Sequence, residues 1–599
     1  MLFRFVSVCL LSSACLSADP REEIPAKVPA ARAILDAWQA DRPEKAERRL
    51  HVVLWTPSDR EPAPRYRERL SAILHDIRDF YAREMNRIGF GPRTLKFDHD
   101  KDGLVRIHVV KGTKPYAHYR TESGGEIRNE CLRPLRAAGI DPENETLVIF
   151  CNMSNWDPEK RTISQNSPYY AGGTHRNGTA WQVDSPILDL ENLDKHEPKV
   201  RDGQYGHISI GRYNSIFIGG VCHELGHALG LPHNLERDDE REAFGTALMG
   251  SGNRTYGEER RGEGKGSFLT LAHALRLASH PIFCGSVKGI HIKANAVTSE
   301  LKITQRDKGF VFSGRVTADP PVYGVVAYMD PDGGGDYNAT TATAVPDKEG
   351  RFELDCQALA PDKPAQLRVV FLQANGVASG FLSNTPYRYA YRVDKEGRAD
   401  IRAAAMRLAL QPLVDAVNSR DEVRAKSLLE TAGIAADPRA VEIGKRFAAT
   451  MAPPKSREVP AAAESVALSD LGATSEKTGY GPPVRDRLPA PGDFLAAGGE
   501  LFAHGFYAHT PAVHEWNLDG SWKTLRGKVG IADGFGGSVR FLIEGDGREL
   551  WKSPLVKGTA LLPFDVKLDG VKKLTLRTED GGDGNRQDWA LWLEPVLQK

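Results

Sequence analysis

The sequence predicts a multidomain protein: an α+β domain, then a β-sandwich, a short helical segment and a second, C-terminal β-sandwich. Three observations predict it. At roughly 100–200 residues per domain, a chain of 599 residues divides into several units. The apolar period mixes helical and strand spacing before residue 285 and turns to short alternating runs after it. Gly 58 and Pro 37 are together above the usual share, which favours turn-rich β structure in part of the chain.

Residues 1–18 read as a signal peptide, with Arg4, an apolar run Phe5–Leu11 and small residues at Ser13, Ala14, Ser17 and Ala18. Cys15 raises the alternative of a lipoprotein, but the leucine expected three places earlier is displaced to Leu11. Residues 19–44 are an N-terminal segment without Cys, so a cysteine-switch latency device is not expected there. In residues 45–284, Arg49–Trp55, Leu104–Val110 and Thr146–Cys151 have strand patterns and Tyr66–Ile88 repeats apolar residues at helical spacing, which implies a sheet backed by helices. Residues 286–395 alternate in Gly289–Ala294, Phe310–Val316 and Gln366–Leu372, the pattern of an immunoglobulin- or fibronectin-like sandwich. Residues 398–450 turn helical through Ile401–Val417, 452–463 (APPKSREVPAAA) read as a linker, and short Gly- and Trp-rich strands follow from Glu464.

The 79 basic and 79 acidic side chains cancel, which argues against a nucleic-acid partner. No segment after the leader is long and apolar enough to cross a membrane, so an exported, soluble chain is expected, secreted, periplasmic or associated with the cell surface. Cys131, Cys151, Cys222, Cys284 and Cys356 are too sparse for a disulfide scaffold, and a Cys131–Cys151 bridge is the only pairing considered. Glu236–Glu242 (ERDDERE) reads as a solvated loop. Asp330, Asp332 and Asp336 could hold Ca²⁺, although a plain turn fits the loop better.

The decisive stretch is Val221–His233, VCHELGHALGLPH. On a helix His223 and His227 share a face and can direct imidazole nitrogens at one point. Glu224 lies beside that face, within reach of a water there. Gly230 can take the backbone conformation that stops the helix, Pro232 cannot continue it, and His233 is returned as a third ligand. Three neutral imidazoles leave one position open on Zn²⁺, the pattern of a catalytic site. Cys222, pointing about 100° away from the neighbouring ligand, reads as buried apolar filler, and His175 and His207 as surface or loop residues.

HExxHxxGxxH resembles the metzincin metalloproteases over about residues 45–284. Their second mark is a Met-containing turn after the third His, and Gly245-Thr-Ala-Leu-Met249-Gly resembles it. The resemblance implies one zinc held by His223, His227 and His233, Met249 as an apolar floor beneath the ligands, and a closing helix at Ser267–Ser279. It also implies peptide hydrolysis with Glu224 taking a proton from the attacking water and passing it to the leaving amine. Asn234 does not assign a subfamily, and Ser251 stands where a tyrosine ligand would be, so such a ligand is not expected. Tyr256 reads as structural rather than as a transition-state donor. An extended substrate would pair with an edge strand, for which Gly178–Asp184 is the candidate.

From Glu464 the chain resembles the NPCBM module, the novel putative carbohydrate-binding module, in VALSDL (466–471), AHGFYAH (503–509), KVGIAD (528–533), SVRFLI (538–543) and DWALW (588–592). The resemblance implies a β-sandwich jelly roll that binds carbohydrate. Tyr507, His509, Trp516, Trp551, Asp588 and Trp589 are the candidate sugar contacts, and Asp580, Asp583 and Asp588 an alternative structural Ca²⁺ site. The expected function is an exported zinc endopeptidase targeted to protein or glycoprotein by this module. The alternative is a glycan-binding adhesin with a relic metallo-domain.

Overall fold

The computed structural model describes residues 19–331, 335–380, 385–452, 463–490 and 492–599. The predicted leader and nearly all of the 452–463 linker lie outside the described residues, as does Asp332. The chain forms two compact units, one of Met1–Leu231, Glu236–His291 and Ala374–Gly376, the other of Pro232–Leu235, Ile292–Gln373 and Val377–Lys599.

The first unit opens with helix α1 (Pro20–Ala40), which the sequence reading left unassigned. Pro25 and Pro29 argue against a helix, yet Ile24, Val28, Ala31 and Leu35 make one buried stripe at helical spacing, and tertiary burial overrides the local propensity. Strand β1 (Leu50–Thr56) and helix α2 (Tyr66–Ile88) follow. Gly89 ends α2 in the left-handed conformation, its N–H donating to the carbonyls of Met85 and Asn86. Strand β2 (Ile107–Lys111), helix α3 (Gly124–Ala137) and strand β3 (Thr146–Cys151) come next, then β4 (Tyr170–Gly173) and β5 (Gly178–Val183). The sheet order is β2-β1-β3-β5-β4, with the first four strands parallel and β4 antiparallel at the edge. The unit is therefore α/β in its sheet, where α+β was expected. The inner strands are buried almost throughout, as parallel strands covered on both faces are. A small sheet of Ser154–Asp157, Thr162–Gln165, Lys199–Asp202 and Gly206–Ser209 lies beside this one in sequence, and helices α4 (Ile210–Ala228), α5 (Asp238–Phe244) and α6 (Leu271–Ala278) follow. The closing helix is thus shorter than Ser267–Ser279, whose first residues pair as a strand with Thr246–Ala247.

The run at 236–242 is no simple solvated loop. Glu236 and Glu240 are buried; Glu236 accepts from the Ala247 N–H at 2.9 Å and pairs with Arg241 at 2.5 Å. The described cysteines are all free, which removes the Cys131–Cys151 bridge. Inside the unit Arg69 and Asp184 form a fully buried ion pair at 3.1 Å, and Arg69 also donates to the carbonyls of Pro64, Ser185 and Leu188.

In the second unit two antiparallel sheets face each other. One holds Val297–Gln305, Phe310–Thr317 and Arg351–Cys356; the other is built around Val322–Pro331, Lys363–Gln373 and Arg388–Val393. Gly289–Ala294, read as a strand, is turn and irregular chain. Asp330 is buried and paired with Arg368 at 2.6 Å, while the rest of the candidate Ca²⁺ set, Asp332 and the Asp336 side chain, lies outside the described residues. Helices Arg402–Asn418, Glu422–Leu429 and Pro438–Ala449 share one apolar core with Phe494, Leu501 and Ala503, and Phe447 lies 4.3 Å from Phe494 between ring centroids. The C-terminal part is a sandwich of two antiparallel sheets, led by Ala590–Gln598 with Thr524–Ile531 and by Lys573–Asp580 with Ser538–Gly545.

Candidate active site

Helix α4 starts at Ser209, whose side chain accepts from the Arg212 N–H, and ends at Leu229. Gly230 has φ +83°, and its N–H reaches the His227 carbonyl while the Leu231 N–H reaches that of Gly226, both at 2.9 Å. These two bonds are a Schellman stop, which needs a residue at positive φ. The turn has a second use: the Leu231 carbonyl, returned toward the helix, lies 2.8 Å from His227 Nδ1. The Leu248 carbonyl similarly takes His223 Nδ1 at 2.7 Å. With Nδ1–H donated to a carbonyl, each ring turns its Nε2 lone pair inward, and the two Nε2 atoms are 3.2 Å apart.

The ligand atoms of His223, His227 and His233 all lie within 4.8 Å of one another. This is the only group of three or more such side chains brought together among the described residues. Burial, reinforced by His227, holds the His223 imidazole down at about 3, so it stays neutral and free to donate its lone pair. Three imidazole donors at this spacing fit a metal ion. The His233 ring is stacked on Tyr337, with centroids 3.5 Å apart and planes 24° from parallel. Sequence reasoning missed Tyr337, since no spacing signal connects it to the motif.

Glu224 is only 7% exposed, and burial pushes its carboxyl up to about 7. Tyr169, which senses its charge, has a phenol raised first by burial and then by Glu224. Met249 is fully buried, and a Cβ placed on Gly226 would stand 2.4 Å from its sulfur, so the turn packs directly under the ligand-bearing helix. Tyr256 is structural: its hydroxyl is buried against Asp76 at 2.6 Å. Cys222 is buried, its carbonyl accepting from the Tyr81 hydroxyl. His175 bonds the Ile290 carbonyl and His207 lies on an exposed strand. The edge strand is β4 and not Gly178–Asp184, which forms the inner β5. A Cβ on either Gly173 or Gly178 would stand 1.9 Å from the Ala228 carbonyl, so this end of the sheet is pressed onto the helix one residue past His227.

The C-terminal candidates divide. Trp516 is 1% exposed in the sandwich core, which leaves it no face for a sugar, while Trp551 is partly buried against that core beside Phe564. Asp588 is completely buried, accepting from Thr510 Oγ1 at 2.5 Å and the Ser538 N–H at 3.0 Å. Asp583 accepts from Ser538 Oγ and Asp580 from the Gly582 N–H, so the three carboxylates serve internal bonds and do not converge on a cation. Tyr507, His509 and Trp589 do come together: Trp589 lies 5.1 Å from Tyr507, and Tyr480, 62% exposed, lies 5.5 Å from His509. Trp589 also stacks on Phe535 at 4.2 Å with planes 10° apart. Tyr480 and Phe535 were not singled out from sequence, because an isolated aromatic in a turn carries no periodic signal.

Among solved structures the chain is similar to OgpA from Akkermansia muciniphila, 26% identical, with 59% of this chain and 96% of that chain covered and a TM-score of 0.48. Catalytically inactive OgpA has also been solved in complex with an O-glycopeptide substrate, glycodrosocin. The CBM51 of Clostridium perfringens GH95, solved with methyl-galactose, is 26% identical over 22% of this chain and 99% of that chain, with a TM-score of 0.21. A curated relative, "Putative endo-alpha-N-acetylgalactosaminidase" of Renibacterium salmoninarum, is 27% identical over 158 residues, or 25% of this chain. The chain spans about a tenth of that relative's length. No described helix is long and apolar enough to cross a membrane. Residues 464–598, which hold the Tyr507, His509 and Trp589 cluster, match the NPCBM/NEW2 domain family.

Proposed function

We propose that the chain is an exported zinc metallopeptidase of metzincin type that cleaves peptide bonds in glycoproteins, and that its NPCBM/NEW2 domain holds it on carbohydrate. The observation that carries the reading is the convergence of His223, His227 and His233, two of them oriented by carbonyl bonds, with Glu224 buried beside them and Met249 seated below. When bound by the triad, zinc supplies Lewis acidity toward water and the scissile carbonyl. The chain's own residues do the rest. Glu224, with its affinity for a proton near neutrality, takes one from the attacking water and returns it to the leaving amine. Strand β4 offers an unpaired edge for an extended peptide, at the end of the sheet that touches the metal-bearing helix. Export rests on the leader pattern of residues 1–18.

The test uses residues 19–599 and paired peptides, each bare or carrying one sugar on Ser or Thr, the substrate class seen with OgpA. The expected result is cleavage of the glycosylated member, lost with a chelator and restored by Zn²⁺. Glu224→Gln retains zinc and loses turnover. Turnover surviving in Glu224→Gln removes Glu224 as the base, and cleavage of neither peptide set removes the peptidase reading.

A further inference from the structure

We propose that the cleft between the NPCBM/NEW2 domain, the helical segment and the 292–400 sandwich is a carbohydrate site for one or two neutral sugar rings, with part of its wall outside the domain. The proposal rests on the carbohydrate reading above and deepens it by placing the sugar.

The cleft, wholly within the second unit, encloses about 410 Å³, a size usual for small-molecule sites. Phe535 and Trp589 line it from the domain, Arg388 from the strand Arg388–Val393, and Arg407 and Gln411 from the helix Arg402–Asn418. Phe535 and Trp589 stack face to face, which covers one face of each ring, and both line the cleft, so an outer face of the pair is the aromatic surface on which the C–H face of a sugar packs. Trp589, a candidate sugar contact from sequence, thus stands at the wall of this cleft.

The polar groups select the ligand. Arg407 pairs with Asp493 through two bonds of 2.5 and 2.6 Å, so its charge is already balanced. Asp533 accepts from the Gly499 N–H, and a Cβ on Gly534 would stand 2.2 Å from Arg388 Nη1, which seats that guanidinium on the domain's backbone. Gln411 Oε1 is buried and has no hydrogen-bond donor among the described residues. The lining sets Arg388 and Arg407 against Asp415, Asp493, Glu500 and Asp533, with Glu500 paired to Lys528 at 3.0 Å, so an anionic ligand meets no positive field there. A purely apolar ligand would cover paired charges and a lone acceptor without replacing their bonds. Hydroxyl groups, each a donor and an acceptor, match this lining together with the aromatic surface. A second cavity, of about 290 Å³, shares Asp533, Phe535 and Ala390, leaving room for a second ring.

The experiment measures binding of methyl galactoside, N-acetylgalactosamine and N-acetylglucosamine by calorimetry to the full mature chain carrying Glu224→Gln. Gln411→Leu, which removes the lone acceptor at nearly constant volume on a helix outside the domain, is expected to weaken binding at least fivefold. Phe535→Ala is expected to do the same, while Tyr480→Ala, whose ring does not line the cleft, changes affinity less than twofold. If Phe535→Ala unfolds the domain, Gln411→Leu alone decides. Affinity unchanged in Gln411→Leu but lost in Tyr480→Ala places the sugar elsewhere on the domain, overturning the cleft while the carbohydrate reading survives. No binding of any probe by the parent overturns both.

Discussion

Gly226 lies between the two ligand-bearing positions of α4, and its replacement by alanine tests how tightly the metal site is built on the Met249 turn. The added methyl would stand 2.4 Å from the Met249 sulfur and 3.0 Å from its terminal methyl. Non-bonded heavy atoms settle at about 3.5–4.0 Å, so the sulfur must retreat by roughly 1 Å or more inside a fully buried site. Helix preference alone favours Gly226→Ala by about 0.8–1.0 kcal/mol. Overpacking opposes it by about 1–3 kcal/mol. Because Met249 is flexible the lower half of that range applies, giving a net loss of about 0.5 kcal/mol. The displaced turn carries the Leu248 carbonyl that orients His223, so metal affinity is expected to fall about tenfold as well. Urea melts of the chelator-stripped protein read the first quantity, and competition for Zn²⁺ against a chromophoric chelator reads the second. Adding Met249→Ala to Gly226→Ala makes room and is expected to recover much of the metal affinity. A Gly226→Ala protein about 1 kcal/mol more stable, with unchanged affinity, would refute the reasoning.

Burial holds His280 neutral, with its imidazole down at about 3 from an ordinary 6.5, so the unfolded chain binds the extra proton between those values. Its contribution is complete above pH 6.5 and is lost as pH falls toward 3, by at most about 4–5 kcal/mol. Denaturant melts from pH 7.5 to 4 are expected to show a shallower loss in His280→Asn, which keeps the helix cap that His280 Nδ1 makes to the Ile282 N–H. Arg69→Met strips Asp184 and the Pro64, Ser185 and Leu188 carbonyls of their donor and is expected to cost about 3–5 kcal/mol in urea melts. Coupling it with Asp184→Leu is expected to recover part of that loss. Zinc removal is expected to lower the melting temperature of the parent protein, and addition of excess Zn²⁺ to raise it in proportion to the logarithm of concentration. His227→Ala is expected to abolish that dependence.

The long periodic elements were readable because local pattern and burial agree: Tyr66–Ile88 and Thr146–Cys151 fold as α2 and β3 with the predicted bounds. The histidine triad was readable because His223 and His227 lie one turn apart on α4 and His233 just past its stop, so spacing alone brings them together. What was hidden depends on distant partners. The edge position of β4 is set by its pairing with β5, and no property of Tyr170–Gly173 announces it. Helix α1 follows from a buried stripe that outweighs two prolines. Asp588 and Trp516 have the composition of sugar contacts but are consumed by Thr510, Ser538 and the core, which only the folded register reveals.

Leu501 and Phe494 belong to the matched C-terminal segment, yet they are buried by Leu410, Ile443 and Phe447 of the helices that precede it. Arg446 reinforces the junction by gripping Asp470 through bonds of 2.5 and 2.9 Å. The border of sequence similarity at residue 464 is therefore not a folding boundary. A fragment beginning there would bare an apolar seam, and the helices alone would lose their lid. Residues from about 402 onward should melt as one cooperative block, and in any transplant to another enzyme the inheritable unit is helices plus sandwich together.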